Sequence, residues 1–541
     1  MSYAENPSTE NKPSQILSIL SAYRHRSATI PDGFSEFALD LERQLTEIVS
    51  RGEKVQFILP AFPFKAPAQG NKRKTLGSLP DKAEELALKT LHGFADSIDE
   101  IYEGGATIVI VLDTSVDRGM CIQIPPKRSQ TFANDILDVL KIDEAEALAY
   151  HQKLKNLALS LGLSHLEFVC PGDKSYTTTK STIHLSVHES NNVGKLTLDL
   201  LPPSTNPDFI TPWHGAIAVL ADASVRIVDV SAVDMTKFEV ITNHEGCPWL
   251  LREKSDLFNW SGMELDFEPL YPCGMLVRPK DRHASYKFED VNMKNVRRLA
   301  LSTAPLLLRG FPMEPEKEVF RTKARELGTI QSWPFGDILE VRENASMDLL
   351  NVLTREAMAF HYDGCFKAVL DSKTGSWIDP PPLFQMFLNR ASSNSKGGLT
   401  IFASSRNLFP LLGPDTISLE ELRKLKSKTF TTANDVCGGD EPRPFIVAHQ
   451  ETGVDTFRFH EPWPESKGGP ESKVTMQVVD WPQAESDTLC EQLTHLMYDR
   501  RVAYRHQWAA GDFIFNDNAM TMHTRTAFED GYREHWRVHV N

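Results

Sequence analysis

Two short segments in the second half of the sequence carry residues that could bind a metal ion. His361 and Asp363 stand two apart in HYDGCFK, so on an extended strand their side chains project to the same face. His523, in the downstream segment AMTMHTR, supplies a second imidazole. Two histidines and one carboxylate form a facial triad that holds ferrous iron and leaves three coordination positions open. A 2-oxo acid can chelate two of these positions, and dioxygen can take the third.

Two arginines near the end of the sequence could complete such a site. Arg533 and Arg537 lie in YREHWRVHV, and their even spacing directs both side chains to one face of a strand. The distal carboxylate of 2-oxoglutarate would be buried without a partner unless a cation lay beside it. The pattern therefore predicts Fe(II) and 2-oxoglutarate as cofactors. In the alternative interpretation, the first histidine and aspartate form a surface ion pair, His523 is a core residue, and the arginines form salt bridges on a solvated strand.

The composition is typical of a globular protein with an acidic surface. The 541 residues are 41% hydrophobic and carry a formal net charge of −15, which argues against nucleic-acid and anionic-membrane partners because both bind basic patches. The N-terminal segment MSYAENPSTENKPSQ lacks the apolar centre of a secretory signal, and no apolar run is long enough to span a membrane. The scattered cysteines favour neither a disulfide framework nor a zinc ribbon. We therefore expect a cytoplasmic protein, with its oligomeric state left open.

Helix and strand patterns alternate in the first half of the chain. Helical spacing covers 35–51, 81–102 and 143–162, and the segments KVQFILPAF, ATIVIVLD and SHLEFVC are typical of buried strands. This alternation predicts an α/β domain with a Rossmann-like parallel sheet. No G-x-G-x-x-G follows any of the strands, so the phosphate loop of a dinucleotide site is missing. Ligands should gather at the carboxyl ends of the strands, near 60–65 and Asp113.

The pattern changes near residue 300. Short strands separated by Pro, Gly, Asn and Ser continue to the end and predict a mostly β domain with helical insertions. We therefore divide the chain into a disordered tail at 1–14, an α/β domain at 15–290 and a β domain at 291–541.

The second half resembles the taurine dioxygenase family of Fe(II)/2-oxoglutarate enzymes over about residues 292–541. The matching motifs are LRGF at 308–311, HYD at 361–363, GGLT at 397–400, W-x-x-G-D followed by DN at 508–518, the later histidine and the closing arginine pair. The resemblance implies a double-stranded β-helix, or jelly roll. One departure is the segment between the HYD and GGLT motifs, which is longer than the shortest form in the family.

The dioxygenase resemblance also implies a function for individual residues. By it, three side chains bind iron: His361, Asp363 and His523. Thr400 and Arg533 would hold the distal carboxylate of 2-oxoglutarate. Arg537 would face the primary substrate or support the co-substrate.

The first half contains several segments whose chemistry is less obvious. FPFK places Lys65 beside two aromatic rings just after a predicted strand, where a desolvated amine or an anion clamp could lie. LPDKAE places Asp81 at a helix start with Glu84 three residues later, which is the pattern of a capping box. For these two acids alone, capping is the better interpretation. TPWHG adds His214 next to a tryptophan.

Together, these segments resemble the isocyanide synthase family, which includes the spore-wall dityrosine synthesis proteins of yeasts. The matches extend over about residues 20–280 and are FPFKAP, LGSLPDKAE, IYEGGATIVI, FANDILDV, IHLSVHES, KLTLDL, TPWHG and PCGMLVRP. The resemblance implies that an amino acid's α-amine becomes an isonitrile with a carbon from ribulose 5-phosphate. Such chemistry needs a basic group for the phosphate and acid/base residues for imine formation and sugar fragmentation. The residues expected to line that site are Lys65, Asp81, Glu84, His214 and Arg252.

Three departures from the isocyanide synthase pattern bear on activity. His184 stands in IHLSVH where the family usually has an arginine, and a histidine binds phosphate less well above its pKa. Residues 113–132 resemble an insertion, and the chain between 170 and 180 is shorter than the family norm. Part of a lid over the substrate would then be absent.

The two resemblances on one chain suggest a sequential enzyme. An amino acid isonitrile would be made in the first domain, then hydroxylated or desaturated with loss of the carboxylate in the second, with dioxygen as a co-substrate. In one alternative, only the dioxygenase works and the first half is a degenerate binding module. In another, the whole chain is a catalytically silent structural partner.

Overall fold

The computed structural model of the chain describes the following residues: 12–24, 34–62, 76–112, 144–169, 182–186, 196–197, 216–229, 233–281, 283–313, 316–334, 336–342, 352–365, 369–370, 377–392, 397–413, 416–431, 442–468, 473–528 and 533–541. Residue contacts divide the chain into two compact units. The first contains Met1–Ala221 and Val225–Lys254, and the second contains Asp222–Ser224 and Ser255–Asn541.

The first unit begins with two helices and then alternates strands with helices. Its elements in order are α1 (Lys12–Tyr23), α2 (Phe34–Ser50), β1 (Val55–Pro60), α3 (Lys82–Asp99), β2 (Ala106–Val111), α4 (Glu144–Ser160), β3 (Leu166–Val169), β4 (Thr182–Ser186) and β5 (Leu196–Thr197). The five strands form a sheet in the order β3-β2-β1-β4-β5. All four pairings are parallel, as the alternating sequence pattern predicts.

The strand order reverses beside β1, because the chain moves outward through β2 to β3 and then returns to the other side with β4. In open parallel sheets, ligands bind outside the carboxyl ends of the strands at such a reversal. The segment that leaves β1, together with the start of α3, is therefore the place to look for a site. Apolar residues of the helices and strands form the core beneath it, including Phe57, Phe94 and Ile108.

A second sheet of the first unit has four strands: β6 (Ala216–Ala221), β7 (Ser224–Asp229), β8 (Phe238–Thr242) and β9 (Pro248–Glu253). Their order is β7-β6-β9-β8, with β6 parallel to β9 and β8 antiparallel to it. Ile217, Val219 and Leu251 pack with Leu76 in a small buried cluster on this sheet.

The second unit contains six described α-helices: α5 (Met293–Ser302), α6 (Lys317–Leu327), α7 (Ser405–Leu408), α8 (Leu419–Leu422), α9 (Glu465–Gly468) and α10 (Gln483–Tyr498). Single 3-10 turns lie at Asp256–Phe258, Phe288–Asp290 and Phe409–Leu411. Its strands are β10 (Leu265–Pro269), β11 (Met275–Pro279), β12 (Leu306–Leu308), β13 (Leu339–Val341), β14 (Val369–Leu370), β15 (Trp377–Asp379), β16 (Phe384–Ala391), β17 (Thr400–Ser404), β18 (Lys426–Thr431), β19 (Arg443–Pro444), β20 (Ile446–Ala448), β21 (Asp455–Phe457), β22 (Val474–Val478), β23 (Ala503–His506), β24 (Phe513–Asp517), β25 (Thr521–Arg525) and β26 (Glu534–Val540).

Two sheets of the second unit matter for function. A seven-stranded sheet has the order β10-β11-β12-β24-β16-β26-β13, and a three-stranded antiparallel sheet has the order β23-β17-β25. Phe387 and Ile514 from the larger sheet share one buried cluster with Phe402 from the smaller. The two sheets therefore pack face to face. Smaller sheets, β19-β18-β22, β14-β15 and β20-β21, complete the described strands.

The structure bears on two of the predicted boundaries. Lys12, Pro13 and Ser14 belong to helix α1, so the predicted disordered tail at 1–14 is wrong for these three residues; the remainder of it lies outside the described residues. Strands β10 and β11 pair into the seven-stranded sheet through β12, which is why the contacts divide the chain at 254/255. The division at 290/291 stays a prediction about the domains. None of the described helices is both long and apolar enough to cross a membrane.

Candidate metal centre and a buried acidic cluster

The two histidines and the aspartate predicted to bind metal meet between the two sheets of the second unit. His523 lies in β25 and forms a backbone bridge with His361. The backbone N–H of His361 donates to the carbonyl of His523, and the N–H of His523 donates to the carbonyl of His361, with N to O distances of 3.0 and 2.9 Å. This bridge sets the two imidazole rings 4.4 Å apart. The ligand atoms of His361, Asp363 and His523 all lie within 4.8 Å of one another. The structure therefore brings the three predicted ligands together.

Asp363 lies in a turn rather than on the strand that the spacing predicts. Gly364 follows it with a φ of +83°, and a Cβ there would lie 2.9 Å from Pro382. The side chain of Asn518 fixes this turn, because its Oδ1 accepts the Asp363 N–H at 2.9 Å and its Nδ2 donates to the Asp363 carbonyl at 3.0 Å. Asn518, the residue that directly follows β24, thus holds the backbone of Asp363.

The ring of His361 is oriented by its own segment. Its Nδ1 lies 2.8 Å from the carbonyl of Ala359, so it can donate there and leave Nε2 toward Asp363, whose Oδ1 is 3.6 Å away. Ligating histidines usually donate their second ring N–H to such an acceptor. Gln385 of β16 lies across the cluster, with its amide nitrogen hydrogen-bonded to Asp363 and 3.3 Å from His523 Nε2.

The carboxylate of Asp363 is held ionised by the charge of Arg537 and by hydrogen bonds from its neighbours. His539 Nε2 lies 2.7 Å from its Oδ2, and Arg537 Nη1 lies 3.1 Å from the same oxygen. Burial by itself would raise the pKa of Asp363, but the charge of Arg537 and the hydrogen bonds from His361 and His539 outweigh it and hold that pKa well below its usual range. Burial lowers the pKa of His539, so this residue contributes a hydrogen bond from a neutral ring. The group therefore stays a carboxylate ligand at neutral pH.

The imidazole of His523 is held neutral by its surroundings. Burial, and then the charge of His361, lower the pKa of His523 to about 3. His460, whose ring lies 6.1 Å from that of His361, has its pKa lowered to about 3 by burial first and then by the same neighbour. A neutral imidazole is the form that binds a metal ion.

A buried guanidinium lies in the same domain, as the arginine prediction requires. Arg533 Nη2 is 3.5 Å from the Thr400 hydroxyl, and its Nη1 has no hydrogen-bond partner among the described residues. The hydroxyl in turn accepts from Trp508 Nε1 at 2.8 Å. Burial and then the charge of Arg525 lower the pKa of Arg533 to about 9, so the group is still a cation at neutral pH. An unpaired buried cation beside a hydroxyl fits the distal carboxylate of a 2-oxo diacid.

The structure explains two motifs whose pairing the sequence did not reveal. Arg309 of LRGF and Asp512 of W-x-x-G-D form a bidentate ion pair at 2.7 and 2.8 Å. Asp512 also accepts the N–H of Ala509 at 2.9 Å and lies 3.3 Å from His506. This network fixes the loop that carries Trp508, and through it the position of Thr400.

Several residues around the centre were missed by sequence reasoning. Arg533, directly before β26, and His535, Arg537 and His539 within it lie at every second position, so all four share one face of the extended segment. The alternation itself was the available signal, since the two histidines repeat the spacing of the two arginines. For Gln385 and Asn518 no local pattern pointed to the metal centre, because their partners are distant in the chain.

The first unit contains a buried acidic cluster where α3 begins. Asp81 and Glu84 are buried, and both halves of the capping box are present: Asp81 accepts from the Ala83 N–H at 2.8 Å, and Glu84 accepts from the Asp81 N–H at 2.8 Å. The capping interpretation is thus confirmed. Tyr150 of α4 contributes its hydroxyl to the same cluster, 3.3 Å from the second oxygen of Glu84. Burial and then the charge of Glu84 raise the pKa of Tyr150 well above its usual value, so it remains a proton donor.

A buried ion pair adjoins the acids. Lys82 donates to Glu85 at 2.7 Å, and Lys89 donates to the same carboxylate at 2.6 Å. Burial would raise the pKa of Glu85, but the two lysines lower it to about 2. Fully buried charges of this kind are kept only where they are paired.

Of the other residues predicted for this site, the structure describes only Arg252. Arg252 on β9 forms a forked pair with Glu239 of β8, at 2.9 and 2.7 Å, across the four-stranded sheet. Lys65 and His214 lie outside the described residues, as does the side chain of His184. The structure thus describes Asp81 and Glu84 together at the start of α3. The assignment of a catalytic site to these two acids and to the other three residues stays a prediction.

The fold and the centre define a class of protein: a chain with a parallel α/β unit and a second unit whose two histidines and one carboxylate are placed to hold a metal ion. Two family models match the chain, one in the second unit and one in the first. The model for the Taurine catabolism dioxygenase TauD, TfdA family covers residues 268–539, and the model for the Pyoverdine/dityrosine biosynthesis protein covers 45–182 and 176–241. The dioxygenase match begins inside β10, in agreement with the pairing of β10 and β11 into the second unit.

Curated relatives give the same result. Isocyanide synthase A of Aspergillus fumigatus is 63% identical over 100% of both chains. Isocyanide synthase xanB of the same fungus is 31% identical over 92% of this chain and 76% of its own length. The tyrosine isonitrile desaturase of Erwinia amylovora is 25% identical over 51% of this chain and 92% of its own length. The chain therefore belongs to the isocyanide synthase family of enzymes and carries a dioxygenase-family second half, which confirms both resemblances predicted from the sequence.

Proposed function

We propose that this chain makes an isonitrile from an amino acid in its first domain and oxidises that isonitrile in its second. The α-amine and a carbon from ribulose 5-phosphate would form the isonitrile, and the oxidation would be a hydroxylation or a decarboxylative desaturation. The names of the isocyanide synthases and of the tyrosine isonitrile desaturase support this order. The single observation that carries the oxidative half is the convergence of His361, Asp363 and His523 on one point. The proposal includes a Rossmann-like first domain, a jelly-roll second domain and a cytoplasmic location.

The donor set fits Fe(II), and the buried guanidinium fits 2-oxoglutarate. Two imidazoles and a carboxylate suit ferrous iron and leave positions for a chelating co-substrate and dioxygen. Once bound, iron, 2-oxoglutarate and dioxygen supply the oxidising power for the reaction. Arg533 and Thr400 would hold the distal carboxylate of the co-substrate, since Arg533 Nη1 lacks a partner among the described residues.

The surrounding residues keep the ligands in the right protonation state. Arg537 and His539 keep Asp363 ionised, and burial keeps His523 neutral. We infer that Arg537, predicted to face the primary substrate or support the co-substrate, acts mainly through its 3.1 Å contact with Asp363. That contact places a fixed positive charge beside the reacting centre.

In the first domain, the acidic cluster is the proposed acid/base machinery. Glu84 and the Tyr150 hydroxyl are in contact, so the pair could hold or transfer a proton during imine formation. Lys65, His214 and Arg252 remain the predicted partners for the phosphate and for the substrate carboxylate. The cluster lies at the start of a helix, where the backbone N–H groups favour an anion.

The iron half is tested by anaerobic addition of Fe(II) and 2-oxoglutarate to the purified protein. We expect a visible charge-transfer band that is lost in His361→Ala and retained in His495→Ala, whose side chain is exposed on α10. A His361→Ala protein that kept the band would remove the proposed ligand set.

The synthase half is tested without iron. The protein is incubated with ribulose 5-phosphate and a pool of the twenty amino acids, and the products are followed by the isonitrile infrared band and by mass spectrometry. We expect one amino acid to be consumed and one isonitrile to appear. If no isonitrile forms while the iron test succeeds, the dioxygenase alone is active and the first half is a binding module.

The capping and catalytic interpretations of the acids can be separated. Asp81→Ser and Glu84→Gln keep the capping box, because serine and glutamine are good capping residues, but they remove the carboxylates. We expect both variants to lose isonitrile formation with little change in melting temperature. Unchanged synthase activity would leave these acids with a structural function only.

A further inference from the structure

A second group of metal-ligating side chains lies in the first unit, away from the acidic cluster. His92 and Asp96 are four residues apart on α3 and so share one face of the helix. His165 immediately precedes β3, and its ring lies 4.8 Å from that of His92. One ligand atom from each of these three residues lies within 4.8 Å of the others.

The geometry of His165 is that of a metal ligand. Its Nε2 lies 3.6 Å from Asp96 Oδ1, close to the separation of about 3.3 Å that two donors have around a tetrahedral Zn²⁺. Its Nδ1 faces the opposite way, 3.3 Å from the Ala106 carbonyl and 3.6 Å from the Asp99 carboxylate. A ligating histidine almost always donates its second ring N–H to a carbonyl or carboxylate in this manner.

The turn between α3 and β2 maintains this arrangement. Asp99 Oδ1 accepts the N–H of Ala106 at 2.7 Å, which holds the carboxylate beside His165. Gly105 has a φ of +70°, and a Cβ there would lie 2.9 Å from the same oxygen. The glycine is therefore required for Asp99 to reach its position. The cluster is built by the fold and does not depend on chance contacts between mobile surface side chains.

We propose that His92, Asp96 and His165 bind a divalent cation of the zinc type. Two imidazoles and a carboxylate suit such an ion, and the partial exposure of the side chains, 15% for His165 and 29% for Asp96, leaves room for water as a fourth ligand. The site lies at the amino ends of β2 and β3, opposite the strand ends where substrates bind in parallel sheets. The ion would tie α3 to β3, an edge strand of the sheet.

The test counts zinc ions bound by the full-length protein in equilibrium dialysis with elemental analysis. We expect two equivalents in the unaltered protein, one at the iron ligands and one here. A His361→Ala/His523→Ala protein should retain one equivalent, and zinc should raise its melting temperature. Adding His165→Gln to that protein should weaken zinc binding more than about a hundredfold, because loss of a ligand exceeds the effect of losing its hydrogen-bond partner.

Graded and control variants make the test specific. Asp99→Asn keeps the acceptor for Ala106 but removes the charge beside His165, so we expect a loss of about ten- to a hundredfold. His495→Gln/Glu491→Gln removes an exposed histidine and acid at the same helical spacing with no third ligand, and should change nothing. Zinc binding that is unaffected by His165→Gln would overturn the proposal, as would a stoichiometry of one in the unaltered protein that falls to zero without the iron ligands. Neither result depends on the oxidative activity.

Discussion

Two groups of two histidines and one aspartate occur in the described residues, one in each unit, and they differ in their surroundings. Asp363 and His523 are buried and His361 is only slightly exposed, the three come from two segments far apart in the chain, and Arg537 of β26 lies beside them. In the first unit, His92 and Asp96 come from one helix, and the cluster is partly exposed. The ligand types are the same, so ligand chemistry alone does not decide what a metal would do. The two clusters differ in their burial, in the fixed charge of Arg537 and in the buried guanidinium of Arg533 in the same unit.

The largest difference between the two clusters should be their effect on 2-oxoglutarate-dependent turnover. His361→Ala and Asp363→Ala should each reduce 2-oxoglutarate-dependent oxidation more than about a hundredfold, since loss of a ligand exceeds the effect of losing an outer partner. His92→Ala should leave this activity unchanged. Succinate formation and oxygen consumption measure this activity in all three variants. An equal loss in His92→Ala would mean that the two clusters do not act independently.

The second contrast concerns the anion site. Arg533→Met should weaken 2-oxoglutarate binding on the order of a hundred- to several thousandfold, because leaving one member of a buried charge pair unpaired costs about 3 to 5 kcal/mol. Arg325→Met, at an exposed position on α6, is the control. Anaerobic titration of the charge-transfer band gives the dissociation constants. Binding within a few-fold of the unaltered protein would place the distal carboxylate elsewhere.

The third comparison concerns residues that position a metal-ligating side chain, namely Asn518 beside Asp363 and Asp99 beside His165. Asn518→Ala removes the two hydrogen bonds to the backbone of Asp363 and should weaken Fe(II) binding about ten- to a hundredfold. It should also lower the free energy of unfolding by about 1 to 3 kcal/mol, because buried backbone groups lose their partners. Asp99→Asn should affect only the cluster of His92, Asp96 and His165 in the first unit. Fe(II) affinity and urea unfolding, measured on both variants, separate the two effects.

The sequence predicted helices α2, α3 and α4 and strands β1, β2 and β3 of the first unit because each has a clear local pattern, whereas it did not predict helix α1. The helix predicted at 35–51 is observed at Phe34–Ser50, and the strand ATIVIVLD is observed at Ala106–Val111. The capping box at Asp81 followed from a local motif in the same way. The contribution of Tyr150 did not follow from a local motif, because its partner Glu84 lies in another helix. Local patterns predict elements, whereas contacts between elements depend on the packing.

A further effect concerns acid stability, which follows from burial. The pKa of His523 and that of His460 are each lowered to about 3, below the unfolded value of about 6.5. The unfolded state therefore binds more protons between these values, and the metal-free protein should lose stability as the pH falls from 6.5 toward 3, by about 1.4 kcal/mol per pH unit for each histidine. Urea unfolding at pH 6.5 and pH 5 measures the slope. His460→Gln should reduce it, His495→Gln should not, and an unchanged slope in the first variant would contradict the prediction.

By itself, the sequence determined which residues could do chemistry and in which half of the chain they act. It supplied the metal-ligand types, the even spacing of the arginines on β26 and the motifs of two enzyme families, because all of these are properties of short segments. Only the tertiary structure decided that His361 and His523 share a backbone bridge, that Asn518 holds Asp363, and that a second histidine–aspartate cluster forms beside β3. The physical reason is that a metal site depends on distances of a few ångströms, and these are set by the packing of elements far apart in the chain.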